Sequence, residues 1–396
     1  MFERSHKQVL ADRLEKENRK FIQVVYGPRQ VGKTTIVSQF AKQTRIPVHY
    51  ATADAVISPQ GTWITQQWEA TRFLLSNSVK GEAILIIDEI QKIPNWSETV
   101  KKEWDEDSLN GVALKVVLLG SSRLLLQEGL TESLAGRYES IYVGHWSYQE
   151  INKSFGLSPE QFVWFGSYPG SIGLSDNEER WKSYILNSLI EPSISKDILM
   201  LTRVDKPALL KRLFELGCSY SGQILSFNKI MGQMVDAGNT TTLAHYLYLL
   251  HTSGLLAGLE KFSPGVLRQR SSSPKFQVHN TALITAQQHF SFSAVKSQPE
   301  LWGRWIESAI GAHLMNRSYE GTFRLYYWRD RNYEVDFVIE SQGRTIGIEV
   351  KSGLSGKLKG MEAFKKNFNP YKILLIGSQG IPWQDFLNSD PMDLFH

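Results

Sequence analysis

Residues 21–40 read FIQVVYGPRQVGKTTIVSQF. The apolar run FIQVVY predicts a strand, and KTTIVSQFAKQ predicts a helix. Between them, residues 27–34, GPRQVGKT, fit G-x-x-x-x-G-K-[ST]. Strand, loop and helix stand in the order a phosphate-binding loop needs. Gly27 and Gly32 permit a tight backbone path. The N–H groups of residues 27–35 (Gly27, Pro28, Arg29, Gln30, Val31, Gly32, Lys33, Thr34 and Thr35, with proline contributing none) would cradle phosphates at a helix N-terminus. Lys33 would reach the β and γ phosphates of ATP, and the Thr34 hydroxyl would bind Mg²⁺.

Working outward, residues 21 to about 145 alternate short apolar runs with helix-like segments. The runs are FIQVVY, VHYATA, AILIID, LKVVLLG and SIYVGHW. Runs without polar alternation suggest strands covered on both faces, hence a parallel α/β sheet. AILIID ends in Asp88 and is followed by Glu89. After a P-loop, Asp88 is expected to hold Mg²⁺ and Glu89 to orient and deprotonate the attacking water. LKVVLLG runs into Ser121 and Ser122. Either could position water near the γ-phosphate, and either could equally be a helix N-cap. Arg137, in ESLAGRYESIYV, is read in two ways. It is a finger supplied to a neighbouring subunit's nucleotide, or it is an ordinary surface arginine.

Composition bounds the rest. The chain has 396 residues, 42% hydrophobic and 21% charged, with a formal net charge of +4. That length predicts more than one domain. The mild charge does not by itself argue for nucleic acid. Cys218 is the single cysteine, which excludes an internal disulfide and a cysteine zinc cluster and suits a reducing compartment. The charged first twenty residues lack an apolar signal core, and no run approaches the ~20 apolar residues of a membrane span. A cytoplasmic protein is the expectation.

Residues 146–205 read as a helical lid or connector. Residues 206–280 read as helix, turn, helix, then a strand pair. Ile230, Met234 and Val235 give the first helix an apolar face, Gly238 and Asn239 make the turn, and Leu243, Leu247 and Leu250 point inward from the second. A loop with Arg268, Arg270 and Lys275 follows. This is the winged-helix plan, in which the second helix enters the DNA major groove. That helix carries Thr and His but no Lys or Arg, so the basic loop is the better candidate for DNA contact.

Residues 295–396 return to α/β. A helix carrying Glu307 precedes the strands FRLYYWRDR, NYEVDFVIE and TIGIEVKSG, then a helix and the strand YKILLIG. Asp336 lies mid-strand, and Glu349-x-Lys351 closes the next strand. Two carboxylates on adjacent strands can share Mg²⁺, with Glu307 as a further ligand. Lys351 would position water and offset charge on a phosphodiester. This is the PD-(D/E)-x-K nuclease arrangement. The segment 351–372 holds six lysines and one acid, Glu362, a candidate contact for a phosphate backbone or a solvated helix face.

Together these motifs resemble a widespread family of prokaryotic AAA-like P-loop ATPases whose C-terminal half has a winged helix and a nuclease-like fold. The resemblance rests on GPRQVGKTT, LIIDEIQKIPNW, LLGSSRLLL, SLAGRY, GSYPG, SISKDIL, NTTTLAHYLYLLHTSGLL, YYWRDRNYEVDFVI and IEVKSG. In KFQVHNTALI, Asn280 stands where the family often has Asp. The resemblance implies an α/β multidomain protein: a P-loop ATPase core at 1–145 with a parallel sheet, the connector at 146–205, a winged helix at 206–280 and a restriction-endonuclease-like domain at 295–396. It implies ATP and Mg²⁺ as cofactors. DNA and further copies of the chain, in a ring or partial ring, are the expected partners. Three functions compete: a DNA-dependent ATPase with a metal-dependent nuclease, a DNA-binding translocase with an inactive nuclease fold, and a nucleotide-regulated protein-interaction switch.

Overall fold

A computed structural model of the chain describes residues 2–56, 61–120, 130, 133–199, 203–233, 238–263, 272–351 and 359–396. The chain divides into two compact units, 1–143 and 144–396.

The first unit is built on a five-stranded parallel sheet in the order β2-β3-β4-β1-β5. The strands are β1 (Ile22–Tyr26), β2 (Val48–Thr52), β3 (Ala83–Asp88), β4 (Leu114–Gly120) and β5 (Tyr138–Tyr142). Every residue of β3 and β4 is buried, as unbroken apolar runs require. The runs VHYATA and SIYVGHW were expected to be covered on both faces, but they form the two edges and are only partly buried. On one face Val25, Ile84, Ile86, Val117 and Leu119 pack with α1 (His6–Ala11) and α2 (Lys33–Gln43). On the other, Leu85, Ile87, Val116 and Leu118 pack with Trp68 of α3 (Gly61–Ser76) and Trp96, Val100 and Trp104 of α4 (Trp96–Leu109). A sheet apolar on both faces is stable only when helices cover both.

The second unit begins with short helices, α5 (Tyr148–Phe155), α6 (Pro159–Phe165), α7 (Pro169–Ile172) and α8 (Glu178–Tyr184), and π-helical turns follow to Leu199. Ser147 and Ser158 start α5 and α6 with reciprocal capping boxes. Next come α9 (Pro207–Ser219), α10 (Phe227–Met231), α11 (Thr240–Thr252) and the antiparallel pair β6 (Leu256–Leu259) and β7 (Lys275–Val278). Gly238 has φ +71°, and the Asn239 side chain accepts the Thr242 N–H to start α11. Leu243, Leu247 and Leu250 are buried. Met234, Val235, Arg268 and Arg270 lie outside the described residues.

After α12 (Ala282–Thr285) and α13 (Phe292–Lys296), the long α14 (Pro299–Ser318) leads into a second sheet. Its order is β11-β10-β9-β8, from β8 (Arg324–Asp330), β9 (Tyr333–Ser341), β10 (Arg344–Lys351) and β11 (Lys372–Gly377). β8, β9 and β10 are antiparallel, and α15 (Lys359–Phe368) is the crossover that makes β11 parallel to β10. Gln342 and Gly343, both with positive φ, form the two-residue turn into β10. Phe364 of α15 packs on Tyr326, Trp328, Val335 and Val338. A final helix, α16 (Trp383–Leu387), follows.

The segments read separately as connector, winged helix and nuclease-like domain all fall in this one unit. Its hairpin is tied to the sheet, because Glu260 O accepts the Tyr327 N–H and Tyr327 O accepts the Phe262 N–H. Gln277 of β7 donates to Ser308 O on α14 at 2.8 Å. Asn280 closes another joint. Its Oδ1 accepts the N–H groups of Ser167 and Ala282, and its Nδ2 donates to Ser167 Oγ. A side chain that both accepts and donates within the core thus occupies this position.

Candidate functional sites

In the first unit the loop between β1 and α2 needs glycine at both ends. Gly27 has φ +153°, and a Cβ there would lie 2.1 Å from Val143 O. Gly32 has φ +96° at the N-cap of α2. Lys33 is buried, and its Nζ donates to the carbonyls of Gly27 at 2.8 Å and Pro28 at 2.7 Å. The loop therefore wraps its own ammonium at a helix N-terminus. Buried Arg4 braces it from outside, donating to Val31 O at 3.1 Å.

Asp88, at the end of β3, faces this loop across β4. Thr34 Oγ1 donates to Asp88 Oδ2 at 2.9 Å, and Tyr50 Oη donates to the same oxygen at 2.6 Å. Asp88 Oδ1 accepts the Glu89 N–H at 2.9 Å. Glu89 takes a left-handed conformation, φ +53°, and its Oε2 accepts from Gln91 at 2.5 Å. Burial raises the Glu89 carboxyl above the usual carboxylate range; Lys33 opposes this and Asp88 adds to it. Asp88 beside the Thr34 hydroxyl is a donor set that fits Mg²⁺ carried with a nucleotide.

Ser121 and Ser122 lie outside the described residues. Arg137 is engaged within its own chain. Its Nε and Nη2 donate to the two carboxylate oxygens of Asp105 on α4, at 2.7 and 3.0 Å. In the sequence Tyr50 is only one member of the apolar run VHYATA. The signal for it was its place on the strand next to the one that ends in Asp88.

In the second unit Glu307, Asp336 and Glu349 come into one neighbourhood, but around a lysine. The last β9–β10 pair is Phe337 with Ile348, and one step beyond it Glu349 stands opposite Asp336. There the ladder stops, because Asp336 Oδ2 accepts the Val350 N–H at 2.8 Å. Lys275, fully buried, sends Nζ to within 2.8 Å of Glu307 Oε1, 3.2 Å of Asp336 Oδ1 and 3.8 Å of Glu334 Oε1. Lys351 Nζ pairs with Glu349 Oε1 at 2.6 Å. Burial pushes the Glu307 and Glu349 carboxyls up to about 7; Asp336 reinforces both, while Lys275 and Lys351 respectively oppose it. Burial works to lower the Lys275 ammonium, and Glu307 and Asp336 outweigh it and leave it raised.

These residues do not fit a shared divalent ion as they stand. Glu307 and Asp336 spend an oxygen each on the Lys275 ammonium, and Asp336 spends its second on a backbone N–H. Among the described residues no group of three His, Cys, Asp or Glu side chains is arranged to hold a metal. Lys275 also corrects the reading of a basic loop, since its charge faces carboxylates in the core. Its alternation with Gln277 on a buried strand was the available signal.

Comparison with known proteins now bears on the first site. A family described as an AAA domain matches residues 19–152. The N-terminal region is an AAA-type P-loop ATPase domain. Two domains of unknown function, DUF8612 and DUF4143, match residues 156–293 and 302–386. A Mycobacterium tuberculosis protein described as uncharacterized is 25% identical over 333 residues, covering 82% of this chain and 69% of its own. An uncharacterized Methanocaldococcus jannaschii protein is 23% identical over 389 residues, covering 92% and 82%. The Thermotoga maritima RuvB Holliday-junction branch-migration motor aligns with a TM-score of 0.33 and 15% identity, over 66% of this chain and 88% of that one. A likeness that weak carries no argument about function. Among the described residues no helix is long and apolar enough to cross a membrane.

Proposed function

We propose that the chain is an ATP-hydrolysing, DNA-associated motor or switch whose second unit binds DNA without cutting it. The observation that carries the ATPase part is the convergence of Lys33, Thr34 and Asp88. Lys33 would offer its charge to the β and γ phosphates. Thr34 and Asp88 would hold Mg²⁺, which would supply further positive charge at the phosphates. Glu89 would take the proton of the attacking water, a role its raised carboxyl suits. Arg137 joins this machinery only if a neighbouring copy draws it from Asp105, and a homo-oligomer is part of the proposal on that condition.

Two features support the DNA part. The order α10, α11, β6, β7 supports the winged-helix reading. The sheet flanked by α14 and α15 follows the nuclease plan, and α15 turns Lys359, Lys365 and Lys366 outward while burying Met361 and Phe364. The lysine inside the carboxylate cluster favours binding over cleavage.

The test is ATPase rate with no DNA, and with single-stranded, duplex and branched DNA, alongside cleavage of the same DNAs in Mg²⁺ and Mn²⁺. Stimulation by DNA with no cleavage is expected. Unstimulated turnover would favour a protein-interaction switch, and cleavage lost in Asp336→Ala would restore the nuclease reading.

A further inference from the structure

We propose that Lys275 is the resident cation of the carboxylate cluster in the second unit, standing where a divalent ion would otherwise bind, and that removing it opens a latent divalent-cation site. This concerns a different unit from the ATPase site and does not depend on ATP turnover.

Three acids reach Lys275 from two elements: Glu307 from α14, and Glu334 and Asp336 from β9. The lysine comes from a third element, β7, the returning strand of the hairpin. Its side chain has no exposed surface, so the ammonium is not a mobile surface charge. The Asp336 carbonyl oxygen adds a fourth contact at 3.2 Å. An ammonium surrounded by oxygens from several elements makes contacts of the kind a hard cation makes, at slightly longer distances.

Three observations separate this arrangement from an open ion site that happens to have a lysine nearby. First, the ammonium lies between Glu307 and Asp336, the space an ion bridging them would need. A divalent ion there would sit within a few ångströms of a fixed positive charge in a poorly solvated interior. Second, the site retains unused negative capacity. Glu349 Oε2 is buried and has no hydrogen-bond partner among the described residues. Buried carboxylate oxygens without partners are uncommon and ask for an explanation. A cation bound next to Glu349 in place of the ammonium would satisfy this one. Third, the backbone leaves little room around the acid. Gly222 lies against Glu307, so that a Cβ there would come within 3.1 Å of Glu307 Oε1. Glycine at 222 thus lets the backbone approach the Glu307 carboxylate on that side.

The physical consequence is exchange of one cation for another. With Lys275 present, the acids are held together without metal. With an uncharged side chain of similar length, the same oxygens converge on an empty centre, and a divalent ion replaces the lost charge.

The test uses the full chain without nucleotide and Mn²⁺ as the probe, followed by the electron paramagnetic resonance signal of free Mn²⁺ and by calorimetry. The wild-type chain should show no uptake that Asp336→Asn removes. Lys275→Met should gain a Mn²⁺ site at least about tenfold tighter than any in the wild type, and the double variant Lys275→Met with Asp336→Asn should lose it. Lys275→Arg keeps a cation in place and should gain nothing. A wild-type chain that binds Mn²⁺ in a manner abolished by Asp336→Asn would overturn the proposal, since lysine and metal would then coexist. A folded Lys275→Met that takes up no Mn²⁺ would overturn it as well. Should Lys275→Met not fold, the wild-type and Lys275→Arg measurements still decide the matter, uptake that Asp336→Asn abolishes in either overturning it and none in both supporting it.

Discussion

Tyr50 Oη lies 2.6 Å from Asp88 Oδ2, the oxygen that also accepts the Thr34 hydroxyl. Tyr50 sits on the edge strand β2, paired in register with Ile86, two residues before Asp88. The edge position leaves its ring partly exposed while its hydroxyl points inward. Burial and the hydrogen bond to Asp88 both raise its phenol, so it stays a donor. Asp88 is therefore fixed by three donors on three segments: Tyr50, Thr34 and the Glu89 N–H. A carboxylate held this way is oriented before any ligand arrives, and preorganisation of that kind reduces the reorganisation needed during reaction.

Tyr50→Phe removes one of those donors and little volume. Hydrogen bonds to charged groups contribute about 1.5–3 kcal/mol. We expect ATP binding to change little and kcat to fall by about tenfold. Stopped-flow nucleotide binding and steady-state turnover separate the two. Unchanged kcat would show that Thr34 and Glu89 suffice to orient Asp88.

Lys33→Ala removes the ammonium that the Gly27 and Pro28 carbonyls enclose. The chain should stay folded, because the glycines set the loop path. Binding of a fluorescent ATP analogue should be lost or hydrolysis fall to background. Hydrolysis at the wild-type rate would mean that the loop is not the nucleotide site.

His313 sets a pH dependence in the second unit. It is half-buried on α14, with Nε2 3.1 Å from Ser389 O and its ring against Phe386. Burial pushes its pKa down to about 4, with the Ser389 carbonyl and Asp390 opposing and Arg317 assisting. The unfolded chain binds the proton near pH 6.5, so stability is lost as pH falls from 6.5 towards 4. At pH 5 the loss from this group is about 2 kcal/mol relative to pH 7. The stability of the wild type minus that of His313→Gln, read by chemical denaturation, should therefore fall by about 2 kcal/mol from pH 7 to pH 5. A difference independent of pH would show that the imidazole is not buried neutral.

The first site was legible because its chemistry is carried by contiguous residues. GPRQVGKT supplies the loop and AILIIDE both acids, and apolar runs announce the central strands. The edges were not legible as edges, since VHYATA groups with AILIID as an apolar run although His49 and Thr52 dilute it. Tyr50 acts through space, from a strand that no motif marks. In the second unit the strand pattern announced the neighbourhood of Glu307, Asp336 and Glu349. Its occupant comes from 32 positions before Glu307 in the chain, on a strand whose lysine reads as a surface charge. Arg137 shows the same limit: its spacing fits a finger, while its partner Asp105 lies on a helix that the motif does not include.

Glu89→Gln tests the remaining role. Glu89 follows Asp88 directly, yet its left-handed backbone turns it out of the strand path, and Gln91 holds one of its oxygens. Gln preserves the shape and can still take a hydrogen bond, but it cannot take a proton. Asp88, Thr34 and Lys33 are untouched, so ATP affinity should be unchanged or higher. Loss of a general base typically costs about 10²–10⁴-fold in the chemical step. Single-turnover hydrolysis should show that drop while nucleotide release stays fast. If the variant hydrolyses at the wild-type rate in a single turnover, the water is activated by some other group.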